Sequence, residues 1–172
     1  MATEPFDLES GLALFKMSYQ GERNFIVKLL DEDGGSLGET IIANEIGSFE
    51  GSNATQIKAA GQHLLDVQAS GPWTITVEQP RPSSAPQTTS FSGNGKTTTD
   101  FFHLSGGLKR FNLTHQGSRN FIVELLDSNG ARVDGLTNVV GAFDGSKAVR
   151  VPEDSIYLLQ VNADGPWTIQ VE

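Results

Sequence analysis

The chain has no cysteine, and its 172 residues include only two tryptophans and two tyrosines. Without cysteine it forms no disulfide, offers no thiol nucleophile and binds no cysteine-ligated zinc or iron. No apolar run approaches the roughly 18 residues that cross a membrane, and residues 1–7 are acidic, without the apolar stretch of a signal peptide. We therefore expect a fold held together by packing alone, with no membrane insertion.

Basic residues are also scarce. Twelve lysines and arginines stand against 21 aspartates and glutamates, which gives a net charge of −9. Most of this charge lies in residues 1–79, where twelve acidic and four basic residues give −8. Because such a surface repels polyanions, nucleic acid is not an expected partner.

The sequence does contain a repeat. Residues 20–27 (QGERNFIV) return as residues 116–123 (QGSRNFIV), and residues 69–75 (ASGPWTI) return as residues 163–169 (ADGPWTI). A repeat of this kind indicates two copies of one structural unit of about 75 residues. Positions kept in both copies report what each unit needs.

Both copies alternate apolar side chains with a period of two, which is typical of β-strands. Phe25, Val27 and Leu29 face one way in the first copy, and the same pattern recurs around Phe121. Turns rich in Gly, Asp and Asn separate these short runs, and no window has a convincing helical period. The sequence predicts an all-β fold of two tandem antiparallel β-sandwich domains, jelly-roll-like and related by internal duplication.

The repeat also places the domain boundaries. We expect a first sandwich at residues 1–78, an extended Pro/Ser linker at residues 79–89 and a second sandwich at residues 90–172. Residues 90–97 (SFSGNGKT) have no counterpart before the first copy. They are expected to form an edge strand and a hairpin turn, which either serve the second domain or bridge to the first. Their Gly-Lys-Thr ending is not a phosphate-binding loop, because Ser90 replaces the leading Gly and a β-prone stretch follows.

The polar pair Arg23-Asn24 is kept in the second copy as Arg119-Asn120. One interpretation is a repeated recognition site, in which each arginine makes paired hydrogen bonds to a carboxylate or phosphate. The other interpretation is structural, with the side chains bonded to turn carbonyls and amides where a strand begins. The sequence leaves both open.

Aromatic residues that could stack on a ligand are expected at positions where the two copies differ. Tyr19 and Tyr157 each align with a histidine of the other copy, and we expect both to be exposed ligand-binding residues. Trp73 and Trp167 alternate in phase with apolar neighbours, which places them in the core.

Acidic turns indicate a second kind of site. Asp31 and Asp33 in the first copy, and Asp127 and Asn129 in the second, place oxygen ligands at alternate positions before a Gly. Calcium takes six to eight oxygens, and neither turn continues with the distal Glu of an EF-hand. The alternatives are a tight turn closed by Asp and Gly, or a β-sandwich calcium site that another loop completes.

Catalytic groups are few. No histidine occupies the same position in both copies, and the sequence contains no H-E-x-x-H spacing. The carboxylates cluster in turns rather than as a facing pair. We expect a protein that is not an enzyme, with a hydrolase of unrecognised site as the weaker alternative.

The ordered motifs Gln-Gly-x-Arg-Asn-Phe-Ile-Val, Gly-x-Phe-x-Gly and Gly-Pro-Trp-Thr-Ile resemble those of small β-sandwich modules in bacterial exported and surface proteins. In layout the chain resembles the jelly-roll modules appended to secreted peptidases, the pre-peptidase C-terminal type. The resemblance implies a non-catalytic module that works outside the bacterial cytoplasm, with a cytoplasmic location as the alternative.

We therefore expect a tandem binding or attachment module whose target is a glycan or a protein surface, since duplication raises avidity. The alternative is a calcium-stabilised structural or assembly protein. No organic cofactor is expected.

Overall fold

A computed structural model of the chain describes residues 1–31 and 40–172. These residues form sixteen β-strands and no helix, so the predicted all-β class is confirmed. Accordingly, the described part of the chain contains no helix with the length and hydropathy that a membrane crossing requires.

The chain divides into two compact units, Met1–Pro80 and Arg81–Glu172. The first unit contains β1 Phe6–Leu8, β2 Gly11–Tyr19, β3 Asn24–Asp31, β4 Thr40–Ile46, β5 Phe49–Ile57, β6 Gly61–Gln68 and β7 Trp73–Glu78. The second contains β8 Ser90–Asn94, β9 Thr97–Thr98, β10 Phe102–Leu104, β11 Gly107–His115, β12 Asn120–Asp127, β13 Arg132–Val140, β14 Phe143–Val151, β15 Ser155–Asn162 and β16 Pro166–Val171.

The first unit has two antiparallel sheets, ordered β1-β6-β3-β4 and β5-β2-β7. Alternate side chains of both sheets point into one hydrophobic core, in which Phe15 of β2 and Phe25 of β3 are fully buried. Burying large aromatic side chains from two facing sheets is the main source of stability in such a sandwich.

The second unit repeats this arrangement, with sheets ordered β10-β15-β12-β13 and β14-β11-β16-β8. The register is the same in both units, because Phe15 lies opposite Val77 and the aligned Phe111 lies opposite Val171. The extra elements are β8, which pairs with β16, and β9, which pairs with β15.

Residues 90–97 serve the second unit rather than bridging to the first. The predicted hairpin turn is wrong: β8 and β9 are joined tightly through Gly95, whose φ is 76°, but each pairs with a strand of a different sheet. The connection therefore crosses from one sheet to the other. Period-two alternation identifies strands but does not specify their partners.

Residues 79–89, expected as a linker, are held at both ends. The Gln79 side chain accepts a hydrogen bond from Glu9 N at 2.8 Å and donates one to Glu9 O at 2.8 Å. Further along, Pro86 O accepts from His103 N and Thr89 O accepts from Val171 N, both at 2.8 Å. Fewer residues than the predicted 79–89 are therefore without hydrogen bonds to one of the two units.

Candidate functional site

Three turns of the first unit meet at one end of its sandwich, which we call the turn end: residues 20–23, 47–48 and 69–72. Gln20 N donates a hydrogen bond to Pro72 O at 2.9 Å, and Gly47 N donates to Arg23 O at 3.1 Å. Each turn carries the chain from one sheet to the other, so residues far apart in sequence become neighbours here.

The second unit has the same turn end, formed by residues 116–119, 141–142 and 163–166. Gln116 N donates to Pro166 O at 2.9 Å, and Gly141 N donates to Arg119 O at 2.8 Å. All three motifs shared by the two copies reach this end of the sandwich. The repeat therefore marks one region of each unit rather than positions scattered through it.

Tyr19 packs between the turn end and the hydrophobic core of the first unit. Its ring stacks on Phe25 with centroids 4.8 Å apart, and its hydroxyl lies 2.8 Å from Ser70 Oγ. Gly21 lies against the ring so closely that a Cβ would overlap it. Tyr19 is 1% exposed, so the predicted exposure is wrong: the residue ends β2 on the core face, where its ring is covered by the turns.

His115 takes this place in the second unit. Its buried ring stacks on Phe121 with centroids 4.6 Å apart. Nδ1 lies 2.8 Å from Gly141 O, and because a carbonyl only accepts, Nδ1 carries a proton. Nε2 lies 3.3 Å from Asp164 Oδ1 and has no hydrogen-bond partner in the described residues. This contact is an ion pair when Nε2 is also protonated.

Asp164 joins the turns of the second unit, where the first unit has Ser70. Its Oδ2 accepts hydrogen bonds from Ser118 N at 3.0 Å, Ser118 Oγ at 3.2 Å and Arg119 N at 3.0 Å. Desolvation raises the pKa of Asp164, but the hydrogen bonds from Arg119 and Ser118 outweigh it and hold the pKa below its ordinary value of 3.8. The Tyr19–Ser70 contact is thus exchanged as a pair for His115–Asp164.

Tyr157 is buried as well, with 1% of its surface exposed. It lies on the core face of β15 opposite Phe102, and its hydroxyl donates to Glu153 O at 2.8 Å. Desolvation raises its pKa above the ordinary value of 10.0. The prediction that Tyr157 is exposed is therefore wrong, and its ring is not available to stack on a ligand.

The shared pairs Arg23-Asn24 and Arg119-Asn120 are exposed at the turn ends. The backbone of each arginine accepts a hydrogen bond from the facing glycine turn. Neither guanidinium takes part in a hydrogen bond or ion pair within the described residues, so nothing there supports the structural interpretation of the arginine side chains. Ligand binding by these residues stays a prediction.

A groove of about 500 Å³ opens at the turn end of the first unit, lined by Ser18, Tyr19, Gln20, Ser48, Phe49 and Glu50. Gln20 and Glu50 are exposed and Phe49 is half-buried. The lining offers hydroxyls, an amide and a carboxylate beside an aromatic ring, a set that hydrogen-bonds and stacks but carries no strong nucleophile.

The second unit presents matching chemistry at the same place. Gln116, Phe143 and Asp144 align with Gln20, Phe49 and Glu50 and have the same exposure. Sequence reasoning missed these residues, although the shared Gln-Gly and Gly-x-Phe-x-Gly motifs contain them. The signal that could have found them is an exposed side chain kept in both copies, and exposure is not readable from sequence.

The acidic turns are brought to other places. Asp127 Oδ1 accepts from Asn129 N and Ala131 N, each at 2.9 Å, so this carboxylate closes the turn between β12 and β13. Asp31 ends β3 opposite His63, and Asp33 lies outside the described residues. No cluster of three His, Cys, Asp or Glu suited to a metal occurs in the described residues. Calcium binding at Asp31, Asp33, Asp127 and Asn129 stays a prediction.

No protein-family model matches the chain, and no curated protein matches it. The resemblance to peptidase-appended modules therefore stays a prediction.

Proposed function

We propose that the protein is a non-catalytic tandem binding module, and that each unit attaches to a glycan through its turn end. The observation that carries the proposal is the groove of the first unit, where Gln20, Phe49 and Glu50 line a shared opening and have counterparts in the second unit.

The lining chemistry fits a sugar. A pyranose ring offers hydroxyls around its rim and an apolar C–H face. The half-buried Phe49 ring is suited to that face, while the Gln20 amide and the Ser18 and Ser48 hydroxyls both donate and accept hydrogen bonds. Glu50 accepts from sugar hydroxyls without requiring a charged ligand.

Packing does not explain why the exposed residues match in both copies. A core position is kept because its shape fills space, but Gln20 and Gln116 are exposed to solvent, where most substitutions change stability by less than about 0.5 kcal/mol. Shared exposed residues in a groove are better explained by a shared ligand.

Two such sites in one chain raise avidity when both engage one polymer, because the second binding event becomes intramolecular. This favours a polymeric target such as a cell-wall or capsular glycan, and with it a location outside the bacterial cytoplasm.

The test is binding of the full chain to an array of bacterial and host glycans, with Kd measured for the best glycan. We expect Phe49→Leu with Phe143→Leu, which removes both rings but keeps apolar volume, to weaken binding about tenfold or more. Gln20→Ala with Gln116→Ala should act in the same direction. Leu108→Ala is the control, because Leu108 is 69% exposed near the start of β11, away from the turn end.

Two results would contradict the proposal. One is the absence of glycan binding by the wild-type chain, and the other is glycan binding that both double variants leave unchanged.

A further inference from the structure

The β7 edge of the first unit differs from the matching β16 edge of the second unit, which pairs with an additional strand, β8. In the described residues β7 pairs only with β2, whereas the aligned β16 pairs with β11 on one side and β8 on the other. The three apolar side chains at matching positions of β16 and β7 differ in burial. Trp167, Ile169 and Val171 are 3%, 0% and 7% exposed, while Trp73, Ile75 and Val77 are only half-buried.

The strand β8 shows what such an edge accepts. Phe91 lies opposite Ile169 and packs 4.6 Å from Phe102, and Gly93 lies opposite Trp167. A Cβ at Gly93 would be 2.5 Å from Trp167 Cζ2, so the indole requires a glycine above it. The covering strand therefore needs a large apolar residue and, two positions later, a glycine.

The turn after β8 supplies one more contact. Trp167 Nε1 donates to Gly95 O at 3.1 Å. Trp73 has no such bond within the described residues. An indole N–H that is half-buried beside an open edge gains a hydrogen bond when a strand of this type arrives.

The backbone of β7 is oriented to receive a strand. Val171 N donates outward to Thr89 O, while Glu172 and Arg110 exchange bonds in the other direction. Because successive residues of a strand direct their backbone groups to opposite sides, Trp167 and Ile169 also face outward. The aligned Trp73, Ile75 and Val77 have the same register on β2, so their N–H and C=O groups point to the open edge.

We propose that the β7 edge binds an extended segment of a partner protein by strand addition, and that this segment carries a large apolar residue two positions before a glycine, with net positive charge. The positive charge follows from the −8 carried by the surrounding residues 1–79. Strand addition gains affinity from backbone hydrogen bonds and specificity from alternate side-chain pockets. The groove is lined by residues of β2, β5 and their turns, whereas the proposed partner binds the opposite edge of β7, and neither proposal depends on the other.

A peptide of residues 88–96 (TTSFSGNGK) is the probe, because it has the required pattern and one lysine. It is mixed with the full chain, in which β16 is already occupied by β8 at the high effective concentration of a tethered strand. We expect amide hydrogen exchange to slow in Trp73–Glu78 and to remain unchanged in Pro166–Val171.

Register is tested by disulfide trapping, which the cysteine-free chain makes unambiguous. Ser92 lies opposite Thr168, whose counterpart is Thr74. A peptide with Ser92→Cys should therefore trap Thr74→Cys chain much faster than the matched Thr76→Cys chain, since a disulfide needs Cα atoms within about 7 Å.

Specificity is tested with altered peptides and one altered edge. The peptide with Gly93→Val should bind about tenfold or more weakly, because its side chain meets the Trp73 ring. Val77→Pro removes one outward N–H while an edge strand tolerates proline, so this variant should fold and bind the peptide more weakly.

Three outcomes would overturn the proposal: equal trapping of Thr74→Cys and Thr76→Cys chains, equal binding of the Gly93→Val peptide, or slowed exchange at β16 instead of β7. Concentration-dependent dimerisation of the chain that the peptide does not reverse would also overturn it, since a second copy would then cover the edge.

Discussion

The residue beneath the turn end is a tyrosine in one unit and a histidine in the other, yet both rings perform the same packing task. Each stacks nearly parallel on the first buried phenylalanine of the following strand, with interplanar angles of 8° and 10°. Each also reaches residue 70 or its counterpart 164, which changes from serine to aspartate. The tyrosine hydroxyl pairs with a serine hydroxyl, whereas the imidazole Nε2 lies 3.3 Å from a carboxylate oxygen, so both positions change together between the copies.

This packing requires glycine at positions 21 and 117. In each unit a Cβ at the glycine would overlap the ring beneath it or that ring's polar partner. We expect Gly21→Ala and Gly117→Ala each to lower the free energy of unfolding by about 1–3 kcal/mol, as overpacked sites do. Denaturant unfolding measures the loss, and Gln20→Ala, at the exposed neighbour, should leave stability within about 0.5 kcal/mol of wild type. An unchanged midpoint for both glycine variants would contradict the account.

Asp164 makes part of the second unit's stability depend on pH. Its folded pKa is lowered, so its contribution is present above the unfolded pKa of about 3.9 and is lost as pH falls through the folded value. We expect Asp164→Asn to be less stable than wild type at pH 5, with the difference shrinking between pH 4 and pH 2. Unfolding midpoints at these pH values measure it. A difference that grows on acidification would show that the hydrogen bonds do not favour the carboxylate.

At the scale of elements, β8 distinguishes the two units. It adds a fourth strand to one sheet, and Phe91 packs against the second unit's core. The described residues of the first unit contain no equivalent of β8, and the apolar side chains of β7 are only half-buried. Uncovered strand edges are sites for pairing with other chains, and β7 has neither a proline nor a lysine within its six residues.

Removing the Phe91 ring should destabilise only the second unit. A fully buried Phe→Ala change costs about 3–5 kcal/mol, and because Phe91 is half-buried we expect about 2 kcal/mol. The experiment is thermal unfolding of Phe91→Ala, followed by amide exchange in each unit. Leu108→Ala, which removes an exposed side chain from β11 of the same sheet, is the matched control. Faster exchange in β2 or β3 would contradict the assignment of β8 to the second unit.

At the scale of the whole molecule, the two copies carry unequal charge on similar frameworks. Residues 1–79 hold −8 of the chain's −9, and the acidic residues 31–33 belong to this unit. Charge of one sign destabilises a compact unit by self-repulsion and attracts cations.

Calcium therefore gives a test of the whole chain. A ligand that binds only the folded state raises the melting temperature by mass action. If calcium binds the acidic residues of the first unit, the melting temperature should be higher in millimolar calcium than in EDTA, and equal melting temperatures would contradict the calcium-stabilised alternative. A rise of several degrees that Asp31→Asn abolishes would favour the calcium-stabilised alternative.

Much of the framework was predictable because it depends on local pattern. Alternation around Phe25 and Phe121 identified β3 and β12, and the repeat located matching strands in both units. The burial of Tyr19 and Tyr157 was not predictable, because each aligns with a histidine of the other copy and such a difference does not indicate a core position. The ring of each is in fact covered by distant turns or strands.

The all-β class and the correspondence of strands between the two copies follow from the sequence, since side-chain period is a property of adjacent residues. Only the tertiary structure decided that Gln20, Phe49 and Glu50 share a groove. It also decided that β8 pairs with β16, whereas in the described residues β7 pairs only with β2. Those facts depend on which strands become neighbours, and strand pairing is set by the packing of two sheets on a common core rather than by any local run of residues.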